Sequence, residues 1–189
     1  MKKRKLLLFT GISILVLAIL ACTINIGGPA YPDQHITVST EAAGEIQSVV
    51  QTAVAAGAET GQISLVLNET QLTSYLAYYL AAMSKPVFTD PQVYLQNSQI
   101  QIYGTASQGY FQATVSIVLT AGVDDQGQLK VVLTSADFGP LPVPAGLKDT
   151  VTAAIQEAYT GAIGPVATGF RLKNITIANG TMTITGMTK

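Results

Sequence analysis

Tryptophan is absent, and cysteine and histidine occur once each. A single cysteine cannot close an internal disulfide or supply a cysteine-rich zinc site, and a single histidine excludes a two-histidine metal site. Charge is also scarce. Asp, Glu, Lys and Arg make up 11% of the 189 residues, less than half of the usual ~25%. With 48% hydrophobic residues, the chain cannot be intrinsically disordered, which requires low hydrophobicity and high charge. Four of the ten basic residues are Lys2, Lys3, Arg4 and Lys5, which leaves six against eleven acids, a net of −5 for the remainder. Such a surface has no electrostatic basis for holding nucleic acid.

The four clustered cations form a positive n-region. Leu6 to Ala21 is apolar apart from Thr10, Gly11 and Ser13, shorter than the ~20 residues needed to cross a bilayer and suited to a signal-peptide h-region. It closes on Ile19-Leu20-Ala21-Cys22, which resembles the lipobox of bacterial lipoproteins. The resemblance implies a diacylglycerol on the Cys22 sulfur, cleavage after Ala21 and further acylation by a palmitate-type chain. The competing reading is an uncleaved transmembrane anchor that continues through Ile24 and Ile26. Either way the remainder lies on the extracytoplasmic face of the cell membrane, and on the lipobox reading acylated Cys22 makes the membrane the first partner. Thr23 to Ser39, broken by Gly27, Gly28, Pro29 and Pro32, reads as a flexible tether, with His35 solvated within it. The organisation expected is therefore a signal peptide over 1–21, lipidated Cys22 and tether over 22–39, and one α+β domain over 40–189.

Within that domain Thr40 caps a helix whose Ile46, Val49, Val50, Ala53 and Val54 recur at helical spacing, with Gly57 as its stop. Gln62 to Leu67 is a short strand. Asn68 and Gln71 form a capping box before a second helix, which aligns Leu72, Tyr75, Leu76, Tyr79, Leu80 and Met83 on one face until Pro86. Period-two strands follow. With a turn at Asn97-Ser98, Leu95 faces Ile100 and Val93 faces Ile102, leaving Gln92 and Tyr94 on the polar side. Phe111, Ala113, Val115, Ile117 and Leu119 form one apolar series, and Asp124 to Gly127 turns the chain into a strand from Leu129 to Phe138. The run Gly139-Pro140-Leu141-Pro142-Val143-Pro144 cannot be a central strand or a helix interior. It leads to a third helix carrying Leu147, Val151, Ala154, Ile155, Ala158 and Tyr159, ended by Gly161 and Gly164-Pro165. Asn179-Gly180 closes a final hairpin in which Ile177 meets Met182 and Ile175 meets Ile184. The fold class is α+β, a curved and mostly antiparallel sheet covered by two or three amphipathic helices.

Catalytic motifs are missing: no G-x-S-x-G elbow, P-loop, dinucleotide fingerprint or paired carboxylates. The reading is non-catalytic, with no cofactor and no metal. The order of helix, long antiparallel sheet, "GPLPVP" lead-in, helix and hairpin over residues 41–187 resembles small TULIP-like envelope proteins. That resemblance implies a curved sheet wrapped on a helix around an apolar groove for acyl chains. Two functions of different class follow. One is a lipid-anchored protein that binds a lipid or other hydrophobic ligand through Leu72, Tyr75, Leu76, Tyr79 and Met83. The other is a ligand-free module that docks on an envelope protein partner by a sheet edge or apolar patch. A phenol in a dry aliphatic core lacks a hydrogen-bond partner, so Tyr75 and Tyr79 fit a cleft mouth. The plainer alternative, which weighs somewhat more, is that both hydroxyls bond backbone carbonyls or reach solvent at the helix edge.

Overall fold

The computed structural model describes residues 23–147, 149–150, 153, 157, 161 and 164–189. The signal peptide, Ala21 and Cys22, and the third-helix positions Val151, Ala154, Ile155, Ala158 and Tyr159 lie outside the described residues.

The chain order is β1 (Ile24–Asn25), α1 (Thr40–Thr60), β2 (Gln62–Asn68), α2 (Glu69–Ala82), β3 (Thr89–Gln96), β4 (Gln99–Gln108), β5 (Phe111–Val123), β6 (Leu129–Asp137), α3 (Gly164–Gly169), β7 (Phe170–Ala178) and β8 (Thr181–Thr188). Leu147, Asp149, Thr150, Ala153 and Glu157 are also helical. The larger sheet runs β1-β5-β4-β3 with β6 on β5, and the smaller runs β2-β8-β7. Among the described residues only the short β1–β5 pairing is parallel. Register shifts between Thr89 and Gln92, Val118 and Leu119, and Leu172 and Asn174 add local bend and twist. The fold is α+β, with curved, mostly antiparallel sheets packed against helices.

Turn chemistry sets the registers. Asn97 and Ser98 both have positive φ, the geometry of a type I′ turn, and Leu95 pairs with Ile100 and Val93 with Ile102 as the alternation requires. Asn179 and Gly180 repeat that geometry, setting Ile177 opposite Met182 and Ile175 opposite Ile184. Asp124 accepts the backbone N–H groups of Gln126 and Gln128 at 2.9 and 2.8 Å and so closes the β5–β6 turn.

Several boundaries differ from the sequence reading. Ser39 rather than Thr40 caps α1, its hydroxyl accepting the Ala42 N–H. Gly57 does not stop that helix, which runs to Thr60 and ends on left-handed Gly61. Gly57 instead provides space, since a Cβ there would lie 2.8 Å from the Phe170 ring. Gly164-Pro165 opens α3 rather than ending a helix, consistent with proline's tolerance in a first turn. Segment 23–39, expected to be a tether, is bonded to the larger sheet. The Ile24 and Ile26 N–H groups bond the Tyr110 and Gln112 carbonyls at 2.8 Å. Gln92 holds both backbone groups of Ile36, Tyr94 donates to the Gln34 carbonyl, and Tyr31 donates to the Asp90 carbonyl at 2.9 Å. That cover buries Gln92 and Tyr94 to 1% and 7% exposure, so β3 is covered on both faces despite its alternating sequence.

Two apolar clusters result. One joins Ile46, Val50 and Ala53 of α1 to Ile63, Leu65 and Leu67 of β2 and to β7–β8. The other joins Leu80 and Phe88 to Val93, Ile102, Val115, Ile117 and Leu119 of the larger sheet. Leu72 and Ile100 pack against both.

Candidate functional site: an apolar cavity at the seam between the two cores

The two sheets meet at one end of the larger one. The Gly180 N–H bonds the Leu95 carbonyl at 3.2 Å, and the Leu172 N–H bonds the Gly127 carbonyl at 2.8 Å. The β7–β8 hairpin therefore lies across the ends of β3 and of the β5–β6 hairpin. The gap this leaves, roofed by α2, is a cavity of about 180 Å³. Ile100, Ile102, Ile117, Leu119 and Val131 line it from the larger sheet, Leu67, Met182 and Ile184 from the smaller, and Ile46 from α1. From α2 come Leu72, Tyr75, Leu76, Tyr79 and Leu80. Among the described lining residues only Tyr75, Tyr79 and Thr150 carry a polar side-chain atom.

The capping box on Asn68 and Gln71 fixes the start of α2, and that start sets which face turns toward the cavity. Leu72, Tyr75, Leu76 and Tyr79, picked out by spacing, all reach the cavity and are half-buried. Met83, the fifth, is the C-cap and packs against the second cluster instead. The opposite face of α2 is polar yet more deeply buried, with Thr73 and Ser74 both at 0% exposure. These side chains satisfy backbone groups of neighbouring elements. The Thr73 hydroxyl accepts the Val93 N–H at 2.9 Å, the Glu69 carboxylate accepts the Leu95 N–H at 2.7 Å, and the Ser74 hydroxyl accepts the Ser39 N–H at 3.0 Å. The outer edge of β3 is thereby closed by helix side chains, which removes it as a site for strand addition.

Tyr75 and Tyr79 have a second environment. Together with Thr40, Ala43, Gly44, Tyr78, Ala82 and Glu157 they line a shallow surface groove between α1 and α2. The phenols thus separate an apolar interior from a polar exterior. Burial pushes both hydroxyls above the ordinary tyrosine range, and the Glu157 carboxylate, which accepts the Tyr79 hydroxyl, adds to the shift. Glu157 is the residue that sequence reasoning passed over as a scattered acid. Its spacing from Thr150 was the available signal, because residues seven apart share a helix face. The sheet residues Ile102, Ile117 and Leu119 were read as plain core, and nothing in their alternation marks them as cavity lining.

Among the described residues, no three His, Cys, Asp or Glu side chains come together to hold a metal ion. Every buried side-chain nitrogen and oxygen among them is hydrogen-bonded.

No family model matches this chain, and no curated protein is similar to it. Among solved structures, the crystal structure of lipopolysaccharide binding protein aligns over 68% of this chain and 49% of that one, at 12% identity and a TM-score of 0.25. The chain therefore spans about half of that protein's length. A likeness at that TM-score decides nothing about ligand or activity.

Proposed function

We propose that this protein is a membrane-anchored, non-catalytic binder of a lipid or other apolar ligand in the cell envelope. The observation that carries the reading is the cavity. Its walls are almost wholly aliphatic and forfeit dispersion contacts wherever the space of about 180 Å³ is left unfilled. Water gains little there, since it needs two to four polar partners and the walls are aliphatic; apolar cavities of ~150 Å³ stay dry and take up apolar molecules. An alkyl chain recovers the lost contacts. The mouth narrows the choice of head group. Two phenols and the Glu157 carboxylate favour a neutral or cationic group with hydrogen-bond donors, and a phosphate would meet like charge. Anchoring rests on the Cys22 lipobox resemblance.

Mass spectrometry of an organic-solvent extract of the purified full-length protein tests this reading. Lipid should be released stoichiometrically, in addition to any chains that remain covalently on Cys22. Leu76→Trp should fill the cavity and abolish the released lipid while the circular dichroism spectrum stays native. A lipid-free wild-type protein would sink the reading and leave the envelope docking module. Separately, Cys22→Ala should abolish incorporation of labelled fatty acid.

A further inference from the structure

The end of the larger sheet opposite the cavity has a different character. There the β4–β5 hairpin turns at Gly109-Tyr110 and β1 pairs beside it. Tyr110, Ile24 and Phe111 are 61%, 53% and 47% exposed, and Tyr110 is the most exposed large hydrophobic residue among those described. Ile24 and Phe111 are neighbours at the sheet edge, and Tyr110 is the turn residue next to Phe111. The Ile24 N–H bonds the Tyr110 carbonyl at 2.8 Å, and Ile24 and Phe111 are Cα partners in a parallel pair, so their side chains stand on the same face.

Two further observations say what covers the patch. The first is charge. From Pro91 to Val123, and from Thr23 to Pro32, there is no Asp, Glu, Lys, Arg or His. In a chain with a net −5 beyond its n-region, the whole hairpin and the segment beside it are uncharged. Charge is what makes contact with a bilayer costly. The second is connectivity. The apolar stretch Leu6 to Ala21 and Cys22 end immediately before Thr23, so only Thr23 lies between the anchoring cysteine and Ile24. A tyrosine whose ring is apolar and whose hydroxyl is polar suits the headgroup level.

We propose that Ile24, Tyr110 and Phe111 insert into the interfacial layer of the bilayer that holds the anchor, and so fix the domain upright with its cavity end away from the membrane. This rests on the anchoring reading above, whether through acylated Cys22 or an uncleaved helix.

Because the chain has no tryptophan, one introduced tryptophan is a clean depth probe. Tyr110→Trp and Val132→Trp are made in the full-length protein. Val132 is 45% exposed on β6 and pairs with Thr120, about 30 Å from Phe111 along β5 at ~3.3 Å per residue. Each variant is reconstituted into phosphatidylcholine vesicles with bromines placed near the glycerol end of the acyl chains. The Tyr110→Trp protein should float with the vesicles, shift its emission to the blue and lose intensity relative to unbrominated vesicles. The Val132→Trp protein should float without either change. Flotation with unquenched Tyr110→Trp, or with equal quenching of both variants, overturns the patch and leaves the anchor standing. Failure to float overturns the anchor and this proposal with it.

Discussion

The two helix-on-sheet layers of this molecule solve the same problem with opposite results. In the smaller layer α1 presents Ala42, Ile46, Val50, Ala53 and Gly57, small or β-branched residues that let the helix lie close to β2 and Phe170. Leu65 and Ile63 beneath it are 0% and 2% exposed. In the larger layer α2 carries bigger apolar side chains, Leu72, Tyr75, Leu76 and Tyr79, and these stay half-buried over a void. Three of its four buried residues, Gln71, Thr73 and Ser74, are polar, and they bond β3, the start of α1 and the helix's own cap rather than pack on the sheet. Hydropathy alone ranks α2's apolar face as core. What decides is whether the residues closest to the sheet are small enough to bring the helix down, and on α2 the close approach is spent on hydrogen bonds.

The largest difference should come from the same truncation made in each layer. Leu65→Ala removes a fully packed side chain and should cost about 2–5 kcal/mol. Leu76→Ala enlarges a space that already exists and should cost clearly less. Denaturant unfolding of both, at matched slope, measures the gap, and equal losses would erase the distinction. Next is the buried polar side of α2. Thr73→Val keeps the shape but leaves the Val93 N–H without its partner, a penalty of about 1–3 kcal/mol, and amide exchange at Val93 should accelerate. In the β7–β8 turn, Gly180 has φ 74°, which a β-branched residue tolerates badly. Gly180→Val should cost about 1–2 kcal/mol and lower Tm by a few degrees, read by calorimetry.

The smallest effect concerns pH and the docked N-terminal segment. Burial, with help from the Asp90 charge, raises Tyr31 from 10.0 to about 12. Below pH 10 the phenol is protonated in both folded and unfolded chains, and its contribution to stability is complete. Above that value the unfolded chain ionises first, so stability should fall as pH rises from 10 toward 12. Tyr31→Phe should flatten that part of the profile. An identical decline in the variant would assign the pH dependence to other tyrosines.

Local rules read much of this fold from the sequence. The Asn97-Ser98 and Asn179-Gly180 turns gave the correct registers because side-chain period and turn geometry must agree, and the Asn68–Gln71 capping box gave the start of α2. Errors arose where a distant segment replaced solvent. Gln92 and Tyr94 alternate as a solvated face should, but segment 23–39 lies over them, and glycine- and proline-rich sequence offers no period that would reveal such docking. The cavity lining was legible in its helix half, as Leu72, Tyr75, Leu76 and Tyr79 share a face at spacings of three and four. Its other half was not. Core packing and cavity lining use the same aliphatic alternation, and Glu157 enters from an element far away in sequence.

Under the proposed anchoring, the pairing of β1 with β5 also sets how far the molecule could range. A free segment as long as residues 23–39 would wander over about 20–25 Å at ~5–6 Å times the square root of its length. With Ile24 hydrogen-bonded to Tyr110, about 7 Å of slack remains between the domain and Cys22 at ~3.5 Å per residue. On the proposed anchoring the leash has been wound in. Such a domain cannot sample the envelope like a tethered receptor. On that proposal its encounters would be two-dimensional, governed by lateral diffusion, and any donor or acceptor of the proposed ligand would have to travel along the membrane or be delivered to it.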